Sequence, residues 1–163
     1  MNNKKIEVYA FVIMPNHVHF IWQLLQLNGK EKPHTSFLKF TTHKFEIYLR
    51  LNRPDLLKIY SVDAANKEYE FWQRDSLAFE LLKKQTIQQK LDYIHYNPVM
   101  KKWELCKEPS DYYYLSTNFY EKGVNNFKLI KHIGAALDID RLWFVGHEPR
   151  SKAIIPFADK TLI

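Results

Sequence analysis

Cysteine is almost absent. Cys106 is the single one in 163 residues, which excludes an intramolecular disulfide framework and fits a reducing, cytoplasmic compartment. Long apolar runs are missing as well: no stretch approaches the ~18 residues that a membrane span requires, so no membrane partner is expected. The N-terminus, MNNKKIEVYAFVIMPNHVH, pairs a basic start with a short apolar run. That run is rich in strand formers and no small-residue cleavage site follows it, which argues against a signal peptide. Internal repeats and low-complexity tracts are also lacking.

What remains is an ordinary globular composition, 46% hydrophobic and 26% charged, in a chain of one-domain length. A chain of this size can bury ~70% of its unfolded surface and needs no staples. Lys and Arg number 24 against 18 acids, for a formal net charge of +6. That balance favours anionic partners without naming one.

From Ile6 to Met14 the residues are mostly β-branched, aromatic or otherwise apolar, the pattern of a well-buried strand. Pro15-Asn16 breaks the run and HVHFIWQL resumes it with period 2, which predicts a hairpin. On the second strand Val18, Phe20, Trp22 and Leu24 face one way, and His17, His19, Ile21 and Gln23 the other. Thr35 or Ser36 can cap a helix running to about Leu51, and Tyr69 to Gln73 reads as a short edge strand. Thr86 with Gln89 is a capping-box pattern opening a helix through about Asn97, with Ile87, Leu91 and Ile94 as its apolar stripe and Pro98 as its stop. A further short helix is expected over 126–137.

Two clusters can carry chemistry. His17 and His19, two apart on a strand, leave the same face, so two ring nitrogens can meet one metal ion. Taken alone the pair is weak evidence and fits a structural or surface role better, but the opposite face is apolar and the core does not need the histidines. On the helix, Tyr93 and Asn97 lie ~40° apart beside the apolar stripe, where a phenol and an amide oxygen can act together. Tyr96 sits ~60° from Tyr93, nearly opposite the stripe. The bland alternative makes Tyr93 a boundary residue and Asn97 a helix terminator.

Charge and aromatics form a third feature. Residues 30 to 58 hold seven Lys or Arg against three acids, and residues 83 to 107 hold six against two. Trp103 lies inside the second segment, flanked by Trp72 and by Tyr112 to Tyr114. Stacking surfaces interleaved with cations suit single-stranded nucleic acid, and Trp72, Arg74, Lys101 and Lys102 are the candidate contacts. A solvated helix face with core aromatics accounts for any one of them as well.

MPNHVHFIW, FWQRD and KLDYIHYNPV, in this order and at these distances, resemble the HUH single-tyrosine transposases, and among them the REP-associated tyrosine transposases. The resemblance covers roughly residues 6 to 133. It implies an α+β fold with a ferredoxin-like antiparallel sheet and helices, single-stranded DNA bearing a hairpin as substrate, and Mg²⁺ or Mn²⁺ as cofactor. It also implies that His17 and His19 are the metal pair, Asn97 a third ligand and Tyr93 the nucleophile, which would form a 5′-phosphotyrosine and release a 3′-hydroxyl. The chain reaches His17 almost at once, whereas members of that family carry a longer segment before it. A first strand and helix are therefore expected to be missing, with an unpaired edge beside Ile6 to Met14 that invites a homodimer. Residues 1–133 are then the transposase-like domain and 134–163 a C-terminal tail outside the resemblance. The competing reading is a non-catalytic single-stranded DNA-binding remnant; a replication initiator or relaxase fits the motif wording less well.

Overall fold

An apolar run from Ile6 to Met14, a break at Pro15-Asn16 and a period-2 run after it build the hairpin that anchors the molecule. In the computed structural model, which describes residues 4–73, 77–136 and 142–147, β1 (Ile6–Ile13) and β2 (Val18–Leu24) pair antiparallel, with Ile13 opposite Val18. The Met14 N–H donates to the His17 carbonyl at 2.8 Å and closes the turn at Pro15-Asn16. A register shift between Val8 and Ala10 puts the adjacent Tyr9 and Ala10 into the same core cluster.

Helix α1 (Pro33–Asn52) starts earlier than the Thr35 or Ser36 cap predicts. Proline at the first helical position needs no N–H partner and has its φ already set, and Ser36 instead donates to the Glu31 carboxylate at 2.6 Å. The one-turn α2 (Pro54–Leu57) leads into a small hairpin of β3 (Ser61–Ala64) and β4 (Lys67–Tyr69). The edge strand expected over Tyr69 to Gln73 is thus replaced by this hairpin, and Phe71 and Trp72 beyond it are buried.

After β5 (Leu77–Leu81) comes α3 (Lys84–Tyr96), capped by Lys83 with no side-chain cap bond, so Thr86 lies within the helix rather than at its start. A 3-10 turn, Asn97–Val99, finishes it at Pro98. In place of a helix over 126–137 the chain forms α4 (Thr117–Lys122), ended by Gly123 at φ 68°, and a 3-10 turn at Ile133–Ala136.

The principal sheet is antiparallel throughout, in the order β1-β2-β6-β5, where β6 is Leu142–His147. This corrects the division of the chain at residue 133. The RLWFVGH segment assigned to a tail carries Leu142, Phe144 and Val145, each 1% exposed, and the sheet's interior is the place that buries such residues on both faces. The mixed α+β class holds, and helices cover both sides. On one side Ile87, Leu91 and Ile94 of α3 pack with Ala10, Val12, Ile21, Leu81 and Phe144. On the other, Phe45 and Leu49 of α1 pack with Val18, Phe71 and Trp72.

The unpaired edge expected beside Ile6 to Met14 is also corrected. Ile13 N–H donates to the Tyr114 carbonyl at 3.0 Å, Ser116 N–H to the Phe11 carbonyl at 3.1 Å and Lys131 N–H to the Val8 carbonyl at 2.9 Å. Residues 114–116 and 130–131 cover the outer side of β1, which removes the reason for a homodimer through that edge. Among the described residues no helix is long and apolar enough to cross a membrane.

Two outcomes are expected. Leu142→Ala should cost about 2–5 kcal/mol, because it opens a cavity in the middle of the sheet, and ending the chain after Ala136 should abolish cooperative unfolding. Urea titration followed by circular dichroism decides this, and unchanged melting of both variants would mean that β6 is an appendage.

The second outcome concerns pH. Burial pushes His95 and His147 down to about 4 from the usual 6.5. A folded-state pKa below the unfolded one gives stability that is complete above pH 6.5 and lost as pH falls toward 4. The urea midpoint should therefore drop between pH 7 and 4.5, at up to about 1.4 kcal/mol per pH unit for each histidine. A flat midpoint over that range would refute it.

Candidate active site

Strand alternation sends His19 to the same face as Ile21, and α3 docks on that face through Ile87, Leu91 and Ile94. Tyr93 and Asn97, beside that stripe, are thereby carried to the histidines. The Tyr93 hydroxyl lies 3.3 Å from His19 Nε2, and Asn97 Oδ1 lies 3.1 Å from His17 Nε2. The two imidazole centroids are 4.9 Å apart. Four side chains meet at one point: His17 from the turn before β2, His19 from β2, Tyr93 from α3 and Asn97 from the 3-10 turn after it. Three of them are buried: His17 at 5%, His19 at 6% and Asn97 at 1% exposed. Tyr93 is 38% exposed and keeps its hydroxyl in reach of a ligand, whereas Tyr96 is 59% exposed and joins none of these contacts.

The hydrogen bonds fix the chemistry of the pair. His17 Nδ1 lies 2.7 Å from the Asn16 side-chain oxygen and Nε2 3.1 Å from the Asn97 oxygen; a neutral ring donates at one of them only, and in the tautomer that donates to Asn16 the Nε2 lone pair faces the Asn97 oxygen. Two acceptors 3.1 Å apart suit a cation, because two cis ligands of an octahedral ion, each about 2.0–2.1 Å from it, stand about 3 Å apart. His19 is held neutral: burial first, then like charge on His17, Lys90 and His147, push it down to about 3. Its Nε2 can therefore serve as a ligand at any ordinary pH. Among the described residues no group of three or more His, Cys, Asp or Glu gathers to hold a metal. The donor set on offer is two imidazoles and an amide oxygen.

The walls combine Trp103 and Lys102, which the sequence marked, with Phe144 and Gly146, which it did not. Trp103 stands over His17 with centroids 5.0 Å apart, and Lys102 lies 4.7 Å above the Trp103 ring. Both border a cavity of about 140 Å³ that also contains Asn16, His17, His19 and Tyr93. Phe144 of β6 stacks under His19, 5.3 Å between centroids and 26° between planes. Next to it, Gly146 is the residue opposite His19 in the β2–β6 register. A Cβ built there would stand 2.7 Å from His19 Nδ1, so the glycine leaves the space in which the imidazole lies. The scarcity of glycine, four in all, was the one signal that could have drawn attention to this position.

The expected nucleic-acid contacts separate. Lys101 and Lys102 are exposed, and Lys102 borders the cavity. Trp72 is corrected to a core residue: it is 5% exposed and donates its Nε1–H to Thr41 Oγ1 at 2.9 Å, so its ring faces are taken by packing and not open to bases. Trp103 is the aromatic that lines the site. Arg74 lies outside the described residues.

No protein-family model matches this chain, and no curated protein or solved structure matches it.

Gly146→Ala should push the His19 imidazole off its place over Phe144 and weaken Mn²⁺ binding 10- to 100-fold, the range for losing an outer support of a metal ligand. His19→Ala should abolish tight binding. Titration calorimetry with Mn²⁺ reads both, and a Gly146→Ala protein that binds like the parent would show that the ring tolerates the methyl group.

Proposed function

We propose that this chain cleaves and rejoins single-stranded DNA as a metal-dependent enzyme of the HUH single-tyrosine transposase type. The observation that carries this reading is the convergence, across 74 residues of chain, of the Tyr93 hydroxyl on His19 Nε2, next to the His17–Asn97 pair. A phenol in reach of a buried, neutral N,N,O donor set is what phosphodiester attack by tyrosine needs, because a phenol of pKa ~10 is a poor nucleophile and a phosphodiester repels anions. The antiparallel four-stranded order β1-β2-β6-β5 is compatible with the ferredoxin-like sheet of this reading. Strand β6 lies directly beside the histidine strand β2.

Within this reading His17, His19 and Asn97 hold a divalent cation. The ion, when bound, draws charge from the phosphate and balances what develops on it. Tyr93 supplies the new bond: its oxygen attacks phosphorus, the bond from phosphorus to the 3′-oxygen breaks, and the departing oxygen takes up a proton as a 3′-hydroxyl. The phenolic proton leaves into the open cavity. The DNA remains attached to Tyr93 as a 5′-phosphotyrosine, and attack by a 3′-hydroxyl reverses the exchange with no need for ATP. Lys102 and Trp103 at the cavity rim offer a cation for the backbone and a face for a base.

Incubation with a hairpin-bearing single-stranded oligonucleotide and Mg²⁺ or Mn²⁺ should give a covalent adduct on a denaturing gel. Tyr93→Phe should lose the adduct and keep DNA binding, since only the hydroxyl is removed, while Tyr96→Phe should retain both. An adduct that survives Tyr93→Phe and vanishes in Tyr96→Phe would overturn the nucleophile. Binding without an adduct from the parent would favour the non-catalytic single-stranded DNA-binding remnant.

A further inference from the structure

Lys90 lies one helical turn before Tyr93 on α3, and its ammonium is seated among three aromatic faces. The nitrogen is 4.7 Å from the Phe144 centroid, 5.3 Å from that of Phe79 and 5.4 Å from that of Tyr93. Lysine heads on a protein surface ordinarily reach out to water or to a carboxylate. Here three rings on β5, α3 and β6 hold the charge in place, and among the described residues no carboxylate pairs with it. Lys90 borders a cavity of about 440 Å³ whose walls include His19, Gln73, Leu77, Tyr93 and Gly146. His19 and Tyr93 also line the smaller cavity that holds Trp103 and Lys102. The Tyr93–His19 pair is thus a ridge between two hollows, each with a cation on its wall.

We propose that the Lys90 hollow binds the DNA phosphate adjacent to the scissile one, so that the strand crosses the Tyr93–His19 ridge with Lys90 on one side and Lys102 with Trp103 on the other. This rests on the single-stranded DNA reading and adds the path of the strand to it. An ammonium is a compact point charge with three donors, suited to a phosphate oxygen that can rotate about it. The aromatic seat occupies one side of the nitrogen and leaves the cavity side for the anion. Fixing the neighbouring phosphate orients the scissile phosphorus toward the Tyr93 oxygen, at a cost in freedom already met on binding. Lys90 contacts substrate without taking part in the exchange of bonds.

The test is binding, not turnover. Anisotropy titrations of a labelled single-stranded oligonucleotide in EDTA, over a range of salt, give the slope of log affinity against log salt. Lys90→Met, which keeps the stem against the rings and removes the charge, should lower the magnitude of that slope by about 0.7, the value of one phosphate contact on a single strand. Lys90→Arg should restore it. Oligonucleotides with one neutral methylphosphonate at successive linkages provide the second arm. The parent should lose affinity at one linkage to which Lys90→Met is indifferent, while both remain sensitive elsewhere. An unchanged slope and unchanged linkage sensitivities in Lys90→Met would overturn the Lys90 site and leave the single-stranded DNA reading intact. Should Lys90→Met fail to fold by circular dichroism, the linkage scan on the parent and Lys90→Arg decides: no single sensitive linkage beside the cleavage point overturns the site. A parent that binds no single strand overturns both readings.

Discussion

The docking of α3 on the sheet face that carries Ile21 is the contact from which the site follows. Ile87, Leu91 and Ile94 seat the helix among Ala10, Val12, Leu81, Leu115 and Phe144, and each is at most 7% exposed. Burying one such side chain is worth about 1.5–3 kcal/mol, so the helix has little freedom to slide or rotate. Because side chains alternate on a strand, His19 must share the face of Ile21; because the apolar stripe fixes the helix, Tyr93 and Asn97 must stand beside that face. The distances of 3.3 Å and 3.1 Å at the site are therefore consequences of core packing, not of flexible side chains finding one another. The strand neighbouring β2 is equally implicated: Phe144 supplies both a core contact for α3 and the surface under the His19 ring.

Electrostatics in this corner run toward anions. Two imidazoles and an amide carry no negative charge, so a divalent ion held by them keeps its full charge for a ligand. Burial holds His19 neutral and leaves its lone pair available. Lys90 and Lys102 stand on either side, each over aromatic rings. A carboxylate-rich site would carry negative charge of its own, which this arrangement lacks.

The sequence was legible wherever the deciding interactions are local. The apolar run of β1 and the alternation of β2 specified the hairpin, and the capping box with its 3.6-residue stripe specified α3 to within three residues at its start. Those two patterns also placed His17 and His19 on one face and Tyr93 and Asn97 on one side of a helix, because periodicity alone sets direction. It misjudged helix starts, where Pro33 outcompeted the Thr35 and Ser36 caps, and it missed the β3–β4 hairpin in a mixed-polarity stretch.

Tertiary structure decided everything that depends on which distant segments pair. LWFVGH is a short apolar run with no periodic partner nearby, and only its pairing with both β2 and β5 makes it an interior strand rather than a tail. Trp72 and Trp103 are indistinguishable as aromatics near basic residues, yet one is consumed by the core against Thr41 and the other borders the cavity. The roles of Gly146 and Lys90 arise from a register and a three-ring seat that join β5, α3 and β6. Direction along an element is written in a few neighbouring residues, and so the sequence determined which way each candidate side chain points. What it points at is set by the packing of segments far apart in the chain, where only the buried area of the whole fold selects one pairing over another.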